Sequence, residues 1–526
     1  MDFDTQLSRF NPDPALREWV SGTVENLLSQ VRQEEAEAAQ LSARVVLLDT
    51  EIRQQDLKIQ ALTLELAYYK RIRFGRTSEQ LGVEQKVLFE ETLDTDLCAL
   101  EAEAEQLSSA PKRKTISHPG RKPLPEHLPR IEHRHEPDTC QCGQCGSTLV
   151  QIGEDVTEQL DVEPSRFFVH RHIRPQYACR ACETVRAAPV PPAIIDGGLA
   201  SPGLLTWVAI GKFADHLPLY RLEQMAARQE VILSCSTLAE WVGRLGVALQ
   251  PLADRLARKL RAQAILHADE TPVQQLDPGK GKTKRAYLWA YRSNDLSGGP
   301  PMVVFDYQGS RSGSHARTFL GDWKGLLMVD DYGGYKALFR EGVTELGCLA
   351  HCRRKFFDLY RDHQSAIAGE ALQWIGRLYA IEEDGRALGI PERKALREAR
   401  SQPVLAEYRT WLLATRQTVA QGSATQKAID YTLKRWVALV RYAHSGELPI
   451  DNNPLENSIR PIAIGKKNWL YAGSERAGRR AAAIQSLIGT AKLNGLDPQA
   501  WLKDTLEKLP TWPYSRIDEL LPLKIS

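Results

Sequence analysis

Apolar side chains recur in steps of four and three along residues 20–69: Val20, Val24, Leu27, Val31, Ala38, Leu41, Val45, Leu48, Ile52, Ile59, Leu62, Leu66 and Tyr69, with polar residues only at Glu34 and Gln55. That spacing keeps one stripe facing a partner helix over several heptads, and it predicts a coiled coil across 1–75. The two polar seam positions suit a role in fixing register or oligomer state. A long amphipathic helix folded onto its own chain is the plainer alternative. The seam runs into Tyr69-Lys70-Arg71-Ile72-Arg73-Phe74-Gly75-Arg76, four positive charges around a helix-breaking glycine, where Arg73 and Arg76 could meet DNA.

From 111 to 136 the periodicity disappears. Prolines at 111, 119, 123, 125 and 129 exclude regular helix, and Lys112, Arg113, Lys114, Arg121 and Lys122 make this a basic arm suited to following phosphates. A plain linker would have the same composition. Two C-x-x-C pairs follow, Cys142-Gly-Gln-Cys145 and Cys179-Arg-Ala-Cys182, around an insert with strand character at Phe167-Phe168-Val169 and Tyr177. Each pair turns two thiolates inward, and four thiolates make a tetrahedral structural Zn²⁺ site, so 137–190 reads as a zinc ribbon. Such a site can contribute on the order of 10 kcal/mol to folding a small module. Cys140 could compete with Cys142, and His170 or His172 could replace a thiolate.

Residues 191–262 are rich in Leu and Ala at helical spacing, with Ser and Thr caps in Leu233-Ser-Cys-Ser-Thr-Leu. Short strand-like runs then appear at 264–269, 286–291, 302–306, 325–330 and 345–350, with helix candidates at Ser314–Leu320, Tyr335–Phe339 and Arg353–Arg361. The order β-β-β-α-β-α-β-α is the topology of a ribonuclease H-like α/β core, expected over 263–360. Amphipathic helix returns over 361–440 as an insertion, 441–475 supplies a further core helix, and 476–526 is left as a C-terminal domain. The expected whole is a multidomain α+β protein.

With 526 residues, 43% hydrophobic and 25% charged, the chain is neither collagen-like nor wholly disordered, and it is too long for one core. No apolar run approaches the ~18–20 residues of a membrane helix, and the N-terminal residues lack a signal-peptide pattern, so a cytoplasmic location is expected. The net charge of +2 conceals an asymmetry, −10 over 1–110, +5 over 111–135 and +7 beyond. An acidic front with a basic middle and rear suggests separate tasks, the basic parts on nucleic acid. Five of the nine cysteines fall between 140 and 182, which in a cytosolic chain points to metal before disulfides.

Two acids close predicted strands: Asp269 ends the first and Asp330 the fourth. Those strands are neighbours in a ribonuclease H-like sheet, so both carboxylates would face one cleft at the strand ends. Asp451-Asn452-Asn453-Pro454-Leu455-Glu456 reads as a capped helix start that could bring Glu456 to the same cleft, with Arg460 a turn further on. Three hard oxygen donors suit Mg²⁺ or Mn²⁺, and two such ions about 3.5–4 Å apart would serve an in-line phosphodiester displacement. A chain with 66 acids also offers accidental triples.

Several stretches together carry a family likeness: Phe74-Gly-Arg-Thr-Ser-Glu79, the paired C-x-x-C, His172-Ile-Arg-Pro-Gln-Tyr-Ala-Cys179, Ala268-Asp-Glu-Thr271, Asp330-Asp-Tyr-Gly-Gly-Tyr335, Gly347-Cys-Leu-Ala-His-Cys-Arg-Arg-Lys-Phe356 and Ile450-Asp-Asn-Asn-Pro-Leu-Glu-Asn-Ser-Ile-Arg-Pro461. Over nearly its whole length the chain resembles the transposases of the insertion sequence 66 family. The resemblance implies an N-terminal zipper continuing into a helix-turn-helix (76–110), a zinc-binding domain, a DDE nuclease core with a helical insertion, and catalytic acids at Asp269, Asp330 and Glu456. It departs at Asp331, where the family usually has glycine, and at Asn457, where a basic residue is usual.

On that reading His351, Arg353, Arg354 and Lys355 after the fifth strand, and Arg460, Lys466, Lys467, Arg476, Arg479 and Arg480 around and beyond Glu456, could hold phosphates of element-end DNA. The implied partners are double-stranded DNA, further copies of the chain through the zipper, and two small proteins of the same element, in a bacterial nucleoid setting. A transposase-derived DNA-binding regulator with a silent nuclease is the rival reading. An inverting glycosidase built on two of the acids ranks far lower, since it needs neither a zinc ribbon nor a basic arm.

Overall fold

A computed structural model describes residues 13–74, 95–96, 99–100, 103–104, 124, 126, 128–136, 141, 144–145, 147–163, 166–195, 197–277 and 282–524. The chain divides into two units, 1–66 with 103–114, and 67–102 with 115–526. The seam at the N-terminus forms one continuous helix, α1 (Pro14–Phe74). Its seam residues Leu27, Val31, Leu41, Val45, Leu48, Ile52, Ile59 and Leu62 are exposed in the single chain. Of the expected helix-turn-helix over 76–110, only the helical pairs 95–96, 99–100 and 103–104 lie among the described residues.

The cysteine-containing module is a four-stranded sheet of β1 (Arg130–Arg134), β2 (Val150–Glu163), β3 (Arg166–Ala178) and β4 (Val185–Ala187), with β3 in the centre. β2 and β3 make a long antiparallel hairpin, and β1 joins β3 in parallel. The basic arm expected across 111–136 therefore gives up its last residues to a sheet: Arg130–Arg134 pair with Val169–Ile173. Alternating Ile131, His133 and His135 supply the strand period that the prolines upstream obscured.

Helices α2 (Pro202–Ala209), α3 (Leu219–Ala227) and α4 (Cys235–Arg261) form the 191–262 section. The Ser234 hydroxyl accepts from Thr237 N–H at 3.2 Å, so the expected Ser cap starts α4 as the sequence indicates.

The largest sheet has five strands, β5 (Ile265–Asp277), β6 (Lys282–Ser293), β7 (Val303–Gln308), β8 (Leu326–Val329) and β9 (Thr344–Gly347), in the order β7-β6-β5-β8-β9. β5, β6 and β7 are antiparallel, while β8 and β9 run parallel to β5. Helices α5 (Gly313–Leu320), α6 (Lys336–Arg340) and α7 (Leu349–His363) fall where candidates were expected, though α7 begins four residues earlier. β5 differs more: it runs through Asp269 to Asp277, because residues 268–277 keep pairing with β6 after the parallel ladder to β8 stops.

Helices α8 (Ala366–Asp384), α9 (Ile390–Leu396), α10 (Gln402–Thr418), α11 (Ala424–Lys434) and α12 (Trp436–Val440) fill the 361–440 section around a second core of Ile375, Leu378, Tyr408 and Leu412. Two buried arginines tie that core to the chain leading into the next helix. Arg397 pairs with Glu382 and donates to the carbonyls of Tyr442, Ser445 and Leu448, and Arg393 donates to that of Gly446. The chain then enters α13 (Asn453–Trp469), α14 (Glu475–Leu493) and α15 (Pro498–Lys508). A boundary at 476 falls inside α14, and that helix lies along the outer edge of β7. Phe305 N–H donates to Ser486 Oγ at 2.8 Å and Val303 N–H to Thr490 Oγ1 at 3.1 Å, which satisfies edge donors that would otherwise be open.

Candidate active site and metal centre

The acid cleft begins with strand register. Ile265 is level with Leu326 and His267 with Met328 in the parallel pairing of β5 and β8. Continued two residues, that register brings Asp269 alongside Asp330, just where β8 ends and the ladder opens. Asp269 Oδ1 accepts its neighbour Glu270 N–H at 2.8 Å, and Asp330 Oδ1 accepts Tyr332 N–H at 2.8 Å. Burial first, then the charges of Glu270, Asp330 and Glu456, push the Asp269 carboxyl up to about 7.

Glu456 arrives on the first turn of α13. Asn452 is the residue before the helix, but its side chain does not cap it. Instead Asn452 Nδ2 donates to Ala268 O at 3.1 Å, which leaves Oδ1 to accept from His267 Nδ1 at 2.8 Å. Its neighbour Asp451 performs the capping, accepting Asn453 N–H at 3.0 Å, and also accepts the Tyr379 hydroxyl of α8 at 2.7 Å. Glu456 is thus tied through its own helix start both to the strand carrying Asp269 and to the helical insertion. Its carboxylate lies 3.9 Å from His351 Nδ1 and 4.0 Å from the Arg354 guanidinium.

Asp331 has a partner of its own. Its carboxylate lies 4.0 Å from buried Arg435, which also pairs with Glu345 at 2.6 Å. A cleft of about 190 Å³ beside Asp330 and Asp331 is lined by Lys336, Lys434, Arg435 and Arg441, cations that the sequence reading did not single out. Glu270 was missed as well. Its buried carboxylate takes Arg311 Nε at 2.7 Å and the Tyr335 hydroxyl at 2.9 Å, which draws the loop at 311 and the turn at 333–335 against β5. The two chain segments meet closely there: a Cβ on Gly313 would collide with Gly334 O. Burial raises the Glu270 pKa, and the Arg311 and Tyr335 bonds oppose that rise. The signal available was position, since Glu270 follows Asp269 on a strand and so points to the opposite face.

The expected phosphate contacts divide. His351 lies half-buried against Glu456, its pKa lowered by burial. Arg353 and Lys355 are exposed, resting over the rings of Phe357 and Tyr431. Arg460 and Lys467 are exposed on α13, and Lys466 donates to Pro272 O at 3.0 Å. Arg479 pairs with Glu475 at 2.6 Å. Arg480 is a correction: it is buried and paired with buried Asp96, so it is not offered to a phosphate. Arg73 lies in the last turn of α1 with its side chain outside the described residues, and Arg76, Lys112, Arg113, Lys114, Arg121 and Lys122 lie outside them altogether.

In the small β module, Cys145 Sγ stands 3.4 Å from Cys179 Sγ and 3.8 Å from Cys182 Sγ. Thiolates about 2.3 Å from a tetrahedral Zn²⁺ are about 3.8 Å apart, so these three fit that ion. Cys142 and Cys140 lie outside the described residues. His170 and His172 turn to other histidines rather than to the thiols, which removes them as substitutes. Among the described residues this is the one group of three or more such donors gathered within 4.8 Å. The three acids stand further apart than that. Their hard oxygens and the raised Asp269 pKa suit a divalent cation that relieves mutual repulsion.

A three-thiol cluster in a small β module and an acid cleft at the end of a mixed sheet define a protein of mixed helix and sheet with two candidate metal sites. Family models match it in succession: "Transposase C of IS166 homeodomain" at 61–132, "zinc-finger binding domain of transposase IS66" at 139–183, "Transposase IS66 family" at 197–480 and "IS66 C-terminal element" at 486–523. The uncharacterized protein y4jD of Sinorhizobium fredii is 36% identical over 503 residues, covering 92% of this chain and 98% of that protein. The uncharacterized protein y4qI of the same organism is 37% identical over 506 residues, covering 93% of each. The chain belongs to the IS66 transposase family. No helix among the described residues is long and apolar enough to cross a membrane.

Proposed function

We propose that the chain is a DDE-type DNA transposase with a ribonuclease H-like core, and that Asp269, Asp330 and Glu456 are its metal-holding acids. The observation that carries this is the convergence of register and tether: β5 and β8 bring Asp269 level with Asp330, and Asn452 binds the Glu456 helix to the residue before Asp269. The strand order β7-β6-β5-β8-β9, three antiparallel strands followed by two parallel ones, supports the ribonuclease H-like reading. Two Mg²⁺ or Mn²⁺ ions bound there would activate the attacking hydroxyl and stabilise the leaving oxygen of a phosphodiester.

The side chains divide the remaining work. Asp331, turned to Arg435, stays out of the acid set and helps position the insertion. Lys336, Lys434 and Arg441 beside Asp330, and Arg354 beside Glu456, present positive charge to a strand entering the cleft. The same acids serve first the hydrolysis that frees a 3′-hydroxyl at the element's end and then the attack of that hydroxyl on target DNA. The thiolate module and the basic arm bind end DNA. The exposed seam of α1 pairs copies of the chain so that two ends are held together, and two small proteins of the same element assist.

The test is Mg²⁺- or Mn²⁺-dependent nicking and joining of a labelled element-end duplex by the purified protein. Cleavage that leaves a 3′-hydroxyl and goes on to joined products is the expected result. Binding without cleavage in either metal, with the accessory proteins present, would favour a silent regulator.

A further inference from the structure

The sheet of the small β module carries four imidazoles that neither the thiolates nor the acid cleft uses. Ile131 and His133 of β1 are level with His170 and His172 of β3, and His135 follows two residues on from His133. Strand alternation therefore sets His133, His135, His170 and His172 on one face. His133 Nε2 lies 2.8 Å from His170 Nδ1, and His135 Nε2 lies 3.0 Å from His172 Nδ1. The rings are layered, with centroids 5.0 Å apart for His133 and His172 and 5.3 Å apart for His135 and His172.

The outer nitrogens of the β3 pair are held from β2. His170 Nε2 is 2.6 Å from Asp161 Oδ2, and His172 Nε2 is 3.2 Å from Gln159 Oε1. Asp161 is buried, which opposes its ionisation, but bonds from His170, Ser201 and Val162 N–H hold its pKa below the usual value. An ionised carboxylate only accepts, so His170 Nε2 carries the proton and its Nδ1 lone pair faces inward. Gln159 Oε1 fixes His172 the same way. Two imidazoles thus present lone pairs on one face, each backed by an acceptor on the far nitrogen, as in metal-ligating histidines.

We propose that this face is a second transition-metal site, taking a borderline divalent cation such as Zn²⁺ on imidazole nitrogens, with no thiolate or carboxylate among the protein ligands. His133 and His135 donate their Nε2 protons to the β3 rings in the metal-free state. On binding, those protons move to their own Nδ1 atoms, so two more lone pairs face the cation and no net proton is released. Nitrogens bound at ~2.0–2.1 Å to a tetrahedral ion stand about 3.3–3.4 Å apart, so each pair opens by about half an ångström. The nitrogens form two pairs rather than one closed group, and water or inward movement of the pairs completes the shell. Burial foremost, then neighbouring imidazoles, keeps His133 below its ordinary pKa and His172 at about 4, so both are in the ligating form at neutral pH. A cation here would staple β1, the end of the basic arm, to the module.

The experiment is equilibrium dialysis of the full chain against Zn²⁺ with metal analysis, alongside Co²⁺ spectroscopy, for wild type and His133→Ala/His135→Ala. Wild type is expected to hold at least one equivalent beyond the thiolate site, and the double variant to lose it. Retention of the thiolate-to-cobalt charge-transfer band in the variant shows that the module is still folded. Equal stoichiometry in the two proteins, or a wild type holding only the thiolate-site metal, overturns the proposal.

Discussion

His267 and Asn452, joined by a buried 2.8 Å hydrogen bond, connect the strand of one acid to the helix of another. Burial holds the His267 pKa down at about 4, so a neutral ring donates to an amide whose other end donates to Ala268 O. Asn452→Ala leaves a buried donor and a buried carbonyl unsatisfied and is expected to cost about 1–3 kcal/mol. Strand cleavage should fall further than that loss of stability explains, because the helix bearing Glu456 is freed. Urea melts and single-turnover cleavage of the same variant separate the two effects, and unchanged cleavage would show that the tether does not position Glu456.

The Asp269 carboxyl, raised to about 7, makes metal-free stability depend on pH. Folding holds its proton more tightly than the unfolded chain does at about 3.9. Stability from this group is therefore present in full below about pH 4, is lost as pH rises through 7, and levels off above. Asp269→Asn should raise Tm little at pH 4.5 and most at pH 8. A gain independent of pH would contradict this. Mg²⁺, bound to the ionised form, should stabilise wild type more at pH 8 than at pH 6 and leave the variant unmoved.

Cys145→Ser removes one of three thiols that stand 3.4–3.8 Å apart around Cys145. Zinc content at the thiolate centre should fall from one equivalent to none after dialysis, and proteolysis should open residues 139–183 first. The acid cleft lies outside that module, so Mg²⁺ stabilisation should survive the change. Loss of both together would mean that the two centres fold as one.

Arg480 and Asp96 form a buried pair between α14 and a helical segment far upstream. Removing one partner leaves a buried charge, and Asp96→Ala should cost about 3–5 kcal/mol. The double change Asp96→Ala/Arg480→Met should recover much of that loss in urea melts. A double change as unstable as the single one would show that packing, not charge, governs the site.

Much of the large sheet was legible because short apolar runs bounded by turns mark strands, and Asp330 stands at the end of one of them. Asp269 was placed at a strand end, yet β5 continues to Asp277, since the antiparallel partner β6 outlasts the parallel partner β8. Periodicity reports one strand at a time and carries no information about which neighbour stops first. The capped helix start was legible in Asp451-Asn452-Asn453, and Asp451 does accept Asn453 N–H, but the partners of Asn452 lie 184 and 185 positions away, beyond the reach of local chemistry. Glu270 was passed over and Arg480 misassigned for the same reason: the role of a charge is hidden until its partner, Arg311 or Asp96, is brought beside it. The histidine face was hidden by parallel pairing between segments 37 residues apart.

The assignment of the acids is tested most directly by Mn²⁺-dependent cleavage of an element-end duplex with Asp330→Ala, Asp331→Ala and Glu456→Ala set beside wild type. The geometry predicts that the Asp330 and Glu456 changes abolish cleavage with DNA binding retained, while Asp331→Ala cleaves, at a rate reduced only by the loosened Arg435. Cleavage by Asp330→Ala together with its loss in Asp331→Ala would contradict the account.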